Sequence, residues 1–144
     1  MSMDYSKIKE LLVNNGYSWT KSRRLVYETV YVGKPKSIND IISSLDGQVD
    51  RVSVYRVIEL YEKLGAVNRI NIGWKYKLEL SDKFVPHHHH LTCLNCGQVI
   101  DIEDEEHIDN FIEEVTSKFS FKPERHAFEI EGLCINCHVK QRLA

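Results

Sequence analysis

The sequence is poor in the residues that would disqualify a globular fold. Three Pro and seven Gly among 144 residues are too few for a collagen-like or linker-dominated chain. No apolar run approaches the roughly 20 residues that a membrane-spanning helix needs. The opening stretch, Met-Ser-Met-Asp-Tyr-Ser-Lys-Ile, lacks the apolar core of a secretory signal. The expectation is therefore a cytoplasmic protein with no membrane partner. Net charge is scarce as well, a formal −2, which argues against a dedicated nucleic-acid binder. Neither Cys nor His occurs before residue 87. What remains is 42% hydrophobic and 28% charged, enough for one ordinary domain or two small ones.

The near-zero charge conceals two unlike parts. Residues 1–83 hold 14 Lys and Arg against 10 Asp and Glu, whereas residues 84–144 hold 5 against 11. All four Cys and all seven His lie in the acidic part. A basic half suits a polyanion, and an acidic half rich in His and Cys suits cations.

The first part reads as helices and then a hairpin. Ile8, Leu11 and Leu12 mark a short helix ended by Asn14-Asn15-Gly16. Thr20 can cap a second helix carrying Leu25, Val26, Thr29 and Val30, broken by Gly33-Lys34-Pro35. Ser37 to Asp40 resembles a capping box ahead of Ile38, Ile41, Ile42 and Leu45. Asp50 or Ser53 can cap a fourth helix with Val54, Val57, Ile58, Tyr61 and Leu64 on one face, ended by Gly65. The period then changes to two. Ala66–Asn71 and Trp74–Leu80 read as a β-hairpin, with Trp74, Tyr76, Leu78 and Leu80 sharing a face. Helices followed by such a hairpin outline a winged helix-turn-helix.

Ser81 to Pro86 reads as a linker. Beyond it, Leu91–Cys93 and Val99–Ile102 look like strands, and Ile108, Phe111, Ile112, Val115 and Phe119 mark a helix. Asp104-Glu105-Glu106 suits the positive end of its dipole. His126, Phe128 and Ile130 alternate as a strand beginning at His126. The fold class is thus α+β: a winged-helix domain over residues 1–82 and a small α/β domain over 83–144.

Cys93-Leu-Asn-Cys96 and Cys134-Ile-Asn-Cys137 are paired CxxC elements with 37 residues between them. Two such turns can complete a tetrahedral thiolate site, the arrangement of structural zinc. The competing readings are two disulfides, disfavoured without a secretory signal, and a redox pair, which would more naturally open a helix after a strand. Zinc here would have no open position and would hold the fold.

In an extended His87-His88-His89-His90, side chains alternate, so one stretch can feed two metal sites. Carboxylates are close in sequence: Glu79, Asp82, Asp101, Glu103, Asp104, Glu105, Glu106 and Asp109. A solvated His-rich linker with adventitious metal affinity is the plain alternative. His107 and His138 read as surface residues.

The chain resembles the ferric uptake regulator family. The likeness spans nearly its whole length and rests on HHHHLTCLNCG at 87–97, GLCINC at 132–137, SVYRVIELYEKLGAV at 53–67 and Thr20-Lys-Ser-Arg23. It implies a homodimer whose second domain is the dimerisation domain. It further implies a metal-dependent DNA-binding transcriptional regulator, a repressor acting on a palindromic double-stranded operator of metal-uptake or peroxide-response genes. Cys93, Cys96, Cys134 and Cys137 match the family's structural Zn2+ ligands. Glu79, His88, His90 and Asp101 match its regulatory site for Fe2+, Mn2+, Zn2+ or Ni2+. His87, His89, Asp109 and His126 match its second site, with Glu106 in reserve. The helix holding Ser53, Tyr55 and Arg56 matches the recognition helix: a Tyr can meet a thymine methyl and an Arg guanine or phosphate, while Arg51 and Arg23 suit phosphates. One departure stands out. The family carries a further His ligand where this chain has Pro35, which cannot bind metal, and Asp82 is a candidate substitute. Asp101 is the residue of the family's peroxide-sensing branch, which leaves that role open.

Two rival classes are a metal-buffering protein without DNA binding and a zinc hydrolase. The hydrolase needs an open metal position and a base, and no H-E-x-x-H spacing occurs. The buffer would lack the steep salt dependence of duplex binding.

Overall fold

The computed structural model describes residues 3–102 and 105–143. It divides into two compact units, Met1–Pro86 and His87–Ala144. No helix among the described residues is long and apolar enough to cross a membrane.

The first unit runs α1 (Ser6–Asn14), α2 (Lys21–Tyr31), α3 (Ile38–Ser44), α4 (Arg51–Lys63), β1 (Val67–Ile72) and β2 (Lys75–Leu80). The starts of α2, α3 and α4 are set by side chains that occupy otherwise unsatisfied amides. Thr20 accepts from the Arg23 amide. Ser37 and Asp40 form the reciprocal box expected from the sequence. Asp50 caps α4, accepting both the amide and the hydroxyl of Ser53, at 2.9 and 2.6 Å. Gly65 follows α4 at φ 69°, the left-handed conformation that costs glycine least.

The core collects the apolar stripes of all four helices and the hairpin. Ile8, Leu12, Val26, Ile41, Val54, Ile58, Tyr61 and Leu78 are its largest fully buried members. Tyr61 keeps its hydroxyl satisfied there by donating to the Arg23 carbonyl at 2.7 Å, which ties α4 to α2. β1 and β2 pair antiparallel from Val67↔Leu80 to Ile72↔Lys75, and Lys36 forms a bridge to Leu78 on the outer side of β2. This is the winged-helix arrangement. Two expectations need correction. Trp74 does not share the packed face of β2; it sits in the turn and is exposed. Ser81–Pro86 is not a loose linker. The Ser81 hydroxyl donates to the Gly65 carbonyl at 2.7 Å, Phe84 stacks edge-on against Tyr27, and Val85 packs on the same core.

The second unit runs β3 (His89–Cys93), β4 (Val99–Ile102), α5 (Glu105–Lys118), β5 (Glu129–Gly132) and α6 (Ile135–Leu143). Its sheet has the order β4-β3-β5, with β3–β4 antiparallel and β3–β5 parallel. Here too the sequence reading needs amendment. The last strand begins at Glu129, so His126 precedes it. The segment after Cys134 is a helix, α6, which the reading did not mark; its apolar residues Ile135, Val139 and Leu143 are mostly exposed and form a weak stripe.

Candidate metal centres and nucleic-acid interface

The four Cys are brought together by the sheet and by two turns. β3 delivers Cys93, and the following turn is closed by the Gly97 amide donating to the Cys93 carbonyl at 2.9 Å, with Gly97 at φ 73°. The parallel pairing of β5 on β3 continues as the Leu94 amide donates to the Gly132 carbonyl, which places Cys134 and the first turn of α6 beside the first knuckle. All four cysteines are free, and their sulfurs lie within 4.8 Å of one another. Cys96 Sγ and Cys134 Sγ are 3.7 Å apart. That is far from the ~2.05 Å of a disulfide. It matches the edge of about 3.8 Å that a tetrahedron of ~2.3 Å zinc–sulfur bonds would have. The Asn95 side-chain amide donates to Cys137 Sγ at 3.2 Å, satisfying part of the charge a bound thiolate carries. The backbone amides of Cys134 and then Cys96 pull the Cys93 thiol down to about 6. The Gln98 amide also lowers Cys96, but hydrogen bonds shared with Cys93, Cys134 and Cys137, together with burial, push it up to about 11. The donor set and spacing therefore fit a closed zinc site.

The odd-numbered histidines of the run form a second cluster. His87 Nε2 and His126 Nε2 are 2.9 Å apart. Asp109, one turn into α5, places Oδ1 3.6 Å from His126 Nε2 and 4.0 Å from His89 Nε2. The four donor atoms lie within 4.8 Å of one another. His89 is only 3% exposed and its ring meets Phe128 edge-on, so one wall of the cluster is apolar. Three imidazoles and one carboxylate fit a borderline divalent cation.

The even-numbered histidines face the other way, with the His88 and His90 rings 4.7 Å apart. His90 Nδ1 lies 3.1 Å from Asp101 Oδ1 across the β3–β4 pair, where the register sets the two residues opposite each other. Glu79 is on β2 and Asp82 just beyond it, in the first unit. Pro35 precedes the Lys36 bridge. Glu106 is exposed at the start of α5, as are His107 beside it and His138 in α6. Glu103 and Asp104 lie outside the described residues.

On α4 the buried stripe of Val54, Val57, Ile58 and Tyr61 turns Arg51, Tyr55 and Arg56 outward. The Arg51 guanidinium lies over the Tyr55 ring, 5.6 Å from its centroid. The Ser53 hydroxyl is engaged by Asp50. On α2, Arg23 bonds the Ser18 carbonyl and lies over Tyr17. The sequence reading passed over Val52, which is 57% exposed on the same face of α4. The helical period could have found it, because position 52 falls outside the buried stripe.

The ferric uptake regulator family model matches residues 14–131. The ferric uptake regulation protein of Campylobacter upsaliensis is 30% identical over 146 residues, covering 95% of this chain and 90% of that protein. The ferric uptake regulation protein of Bacillus subtilis is 26% identical over 142 residues, covering 94% and 95%. Among solved structures, the Helicobacter pylori ferric uptake regulator, described as having three functional metal-binding sites, superposes with a TM-score of 0.79 at 27% identity, covering 95% of each chain. The Vibrio cholerae ferric uptake regulator gives a TM-score of 0.71 at 26% identity, covering 88% of this chain and 99% of that one.

Proposed function

The chain belongs to the ferric uptake regulator family and is a metal-responsive regulator, and from that premise we propose that it is a homodimeric transcriptional repressor that binds a palindromic DNA operator when its regulatory metal is bound. The observation that carries this reading is the division of one His run between two donor sets, next to a separate four-Cys site. The Helicobacter pylori relative has three functional metal-binding sites, and this chain carries residues for three.

In this reading Cys93, Cys96, Cys134 and Cys137 hold structural zinc. They deliver thiolates and give up protons as the metal binds, and the bound ion ties α6 to β3. His87, His89, Asp109 and His126 hold a second ion. Glu79, His88, His90 and Asp101 belong to the regulatory site, with Asp82 in reserve for the position that Pro35 vacates. A carboxylate on His90 Nδ1 fixes the ring's tautomer and turns Nε2 toward a metal, so Asp101 serves either as ligand or as orienting partner. The metal acts as a switch. It favours one dimer geometry only to the extent that it binds that geometry more tightly than the other. The favoured one sets two recognition helices into successive major grooves, roughly 34 Å apart.

DNA contact falls to α4 and the first turn of α2. Tyr55 and Arg56 reach base edges, Val52 adds an apolar surface for a thymine methyl, and Arg51 and Arg23 serve phosphates. Ser53, tied to Asp50, secures the start of the helix. Dimerisation is supported by the apolar residues the second unit leaves at its surface: Phe111 (61% exposed), Phe119 (78%) and Ile130 (46%) among them. Large apolar side chains left open to water on a single chain are often covered by a partner. No catalytic residue enters this reading, and the cell compartment is the cytoplasm.

The test is a metal-by-metal titration of duplex binding with Fe2+ under anaerobic conditions, Mn2+, Zn2+ and Ni2+, followed by a peroxide challenge of the iron form. Salt-sensitive duplex binding that requires one of these metals is the expected result. Metal uptake with no duplex binding at any metal overturns the reading in favour of a metal buffer.

A further inference from the structure

The cluster of His87, His89, Asp109 and His126 has a closed side and an open one. His89, buried and faced edge-on by the Phe128 ring, closes the first. His87, Asp109 and His126 line the second, a groove of about 670 Å³ within the second unit. α5 forms much of its lining. Asp109, Ile112, Glu113, Thr116 and Ser117 line it at intervals of three and four residues, the spacing of one helical face. The Thr116 hydroxyl donates to the Ile112 carbonyl and the Ser117 hydroxyl to the Glu114 carbonyl, each at 2.9 Å, so both protons are spent on the helix itself. The Glu113 carboxylate is different. It stands one turn beyond Asp109, about 6 Å of helix rise. It lies outside the four donors whose ligand atoms are within 4.8 Å of one another. Among the described residues no cation pairs with it, although its neighbour Glu114 is bound by Lys118 at 2.7 Å. The segment after α5 completes the groove and supplies one cation, Lys122, between Phe121 and Pro123.

We propose that Glu113 is the uptake ligand of this site: it receives an arriving divalent cation in the groove and passes it to Asp109, His87 and His126, and it does the reverse on release. This rests on the reading of those residues, with His89, as a metal site. Glu113 then sets how fast the ion exchanges rather than how tightly it is held. The physical reason is the cost of taking a charge out of water. A carboxylate that replaces part of the hydration before the imidazoles are reached lowers one barrier, and a lower barrier speeds travel both ways. Its charge also offsets Lys122, whose ammonium repels a cation from the same groove.

The experiment uses the full-length protein with its four-Cys zinc in place, in a His88→Gln, His90→Gln background so that the even-numbered histidines take up no ion. Co2+ is the probe. Its visible absorption is followed by stopped flow on binding, and on release into EDTA at concentrations beyond which the rate no longer rises. His126→Ala identifies the signal of this site; if that change removes no absorption, the metal-site reading falls and this proposal with it. Given the signal, Glu113→Gln is expected to slow association and release alike, each by about tenfold, with affinity changed by less than about twofold. Glu113→Asp should recover part of both rates, and Lys122→Gln should speed association. Glu114→Gln, the same loss of charge one residue on, should leave both rates unchanged, and the melting temperatures of these variants should equal the parent's. Parental rates in Glu113→Gln overturn the proposal by removing the residue from the path. Faster release with weaker binding overturns it by making Glu113 a resident ligand. Slower association with unchanged release, or an equal slowing by Glu114→Gln, overturns it by reducing the effect to charge attraction.

Discussion

The Nε2 atoms of His87 and His126 lie 2.9 Å apart although 39 residues separate them in the chain. Two imidazole nitrogens this close either share one proton or aim two lone pairs at one ion. Asp109, 3.6 Å from His126, supplies the negative charge that favours the ion. His126→Ala should therefore remove about one metal equivalent per chain while leaving the four-Cys zinc in place. Metal analysis by mass spectrometry of the dialysed full-length protein reads both. A variant that keeps its full metal complement would show that these four residues are not a site.

The four-Cys cluster calls for the opposite outcome. Its sulfurs are joined through β3, β5 and α6, the frame of the second unit, which otherwise buries little: Cys93, Val99 and Cys137 are its buried hydrophobic residues among those described. A unit with so small a core depends on its metal. Chelation of zinc, or Cys134→Ser, should melt the second unit, seen as loss of helix and strand signal in circular dichroism. The first unit, with its own core, should keep its cooperative transition. A single unchanged melting curve after complete zinc removal would contradict a structural role.

The sequence made the first unit largely legible because α2, α3 and α4 each start at a capping residue and its helices bury apolar residues at a regular period. Thr20, Ser37 and Asp50 mark the starts, and Ile41, Val54, Ile58 and Tyr61 mark the faces. The cysteine and histidine spacings likewise announced their clusters. Period-two reasoning failed at Trp74 because alternation describes a strand but does not say where its turn begins. It failed at His126 because residues 126–128 alternate in polarity without pairing; the parallel ladder with β3 begins only at Glu129. The helix α6 was hidden because its outward residues include Ile135 and Leu143, so no clean polar face signals a helix. Apolar residues in α5 were readable as a stripe, but not that one chain leaves Phe111 and Phe119 exposed.

The capping box of α3 makes stability depend on acid. Hydrogen bonds from the Ser37 hydroxyl, and then from its amide, hold the Asp40 carboxyl below its ordinary value of 3.8. A carboxyl depressed on folding stabilises the fold above its unfolded value and loses that contribution as pH falls through the folded one. Asp40→Asn should therefore melt below the parent at neutral pH, and the gap should close as pH drops below 3.8. Ser37→Ala should cost about 1 kcal/mol at neutral pH. Thermal melts from neutral to strongly acidic pH check both, and a gap that stays constant with pH would exclude this origin.

Arg56 on α4 and Arg23 on α2 should separate base reading from phosphate binding. Arg56→Ala should cost about 1–3 kcal/mol on the operator and relax its sequence preference. Arg23→Ala should weaken operator and random duplex alike and reduce the salt slope by about one. Competition binding at several salt concentrations distinguishes the two patterns. Equal effects of both variants on both duplexes would mean that Arg56 only meets phosphate.

The proposed regulatory site is tested most sharply by the two histidines that leave β3 and its approach on the side opposite His87 and His89. His90 is 6% exposed and meets Asp101 at 3.1 Å, so a change there alone disturbs a buried ring's hydrogen bond as well as a proposed ligand. Replacing His88 and His90 together by Gln keeps hydrogen-bonding side chains of similar length but lowers affinity for a divalent metal. The double variant should remain dimeric by sedimentation and keep its zinc, because the four Cys are untouched. Its operator affinity should no longer rise with added Mn2+ or Fe2+. Asp101→Asn should give an intermediate response if the carboxylate only orients His90, since loss of an orienting partner typically weakens metal binding 10–100-fold without abolishing it. It should match the double variant if Asp101 is itself a ligand. A double variant whose DNA binding still follows metal concentration as the parent's does would remove His88 and His90 from the switch.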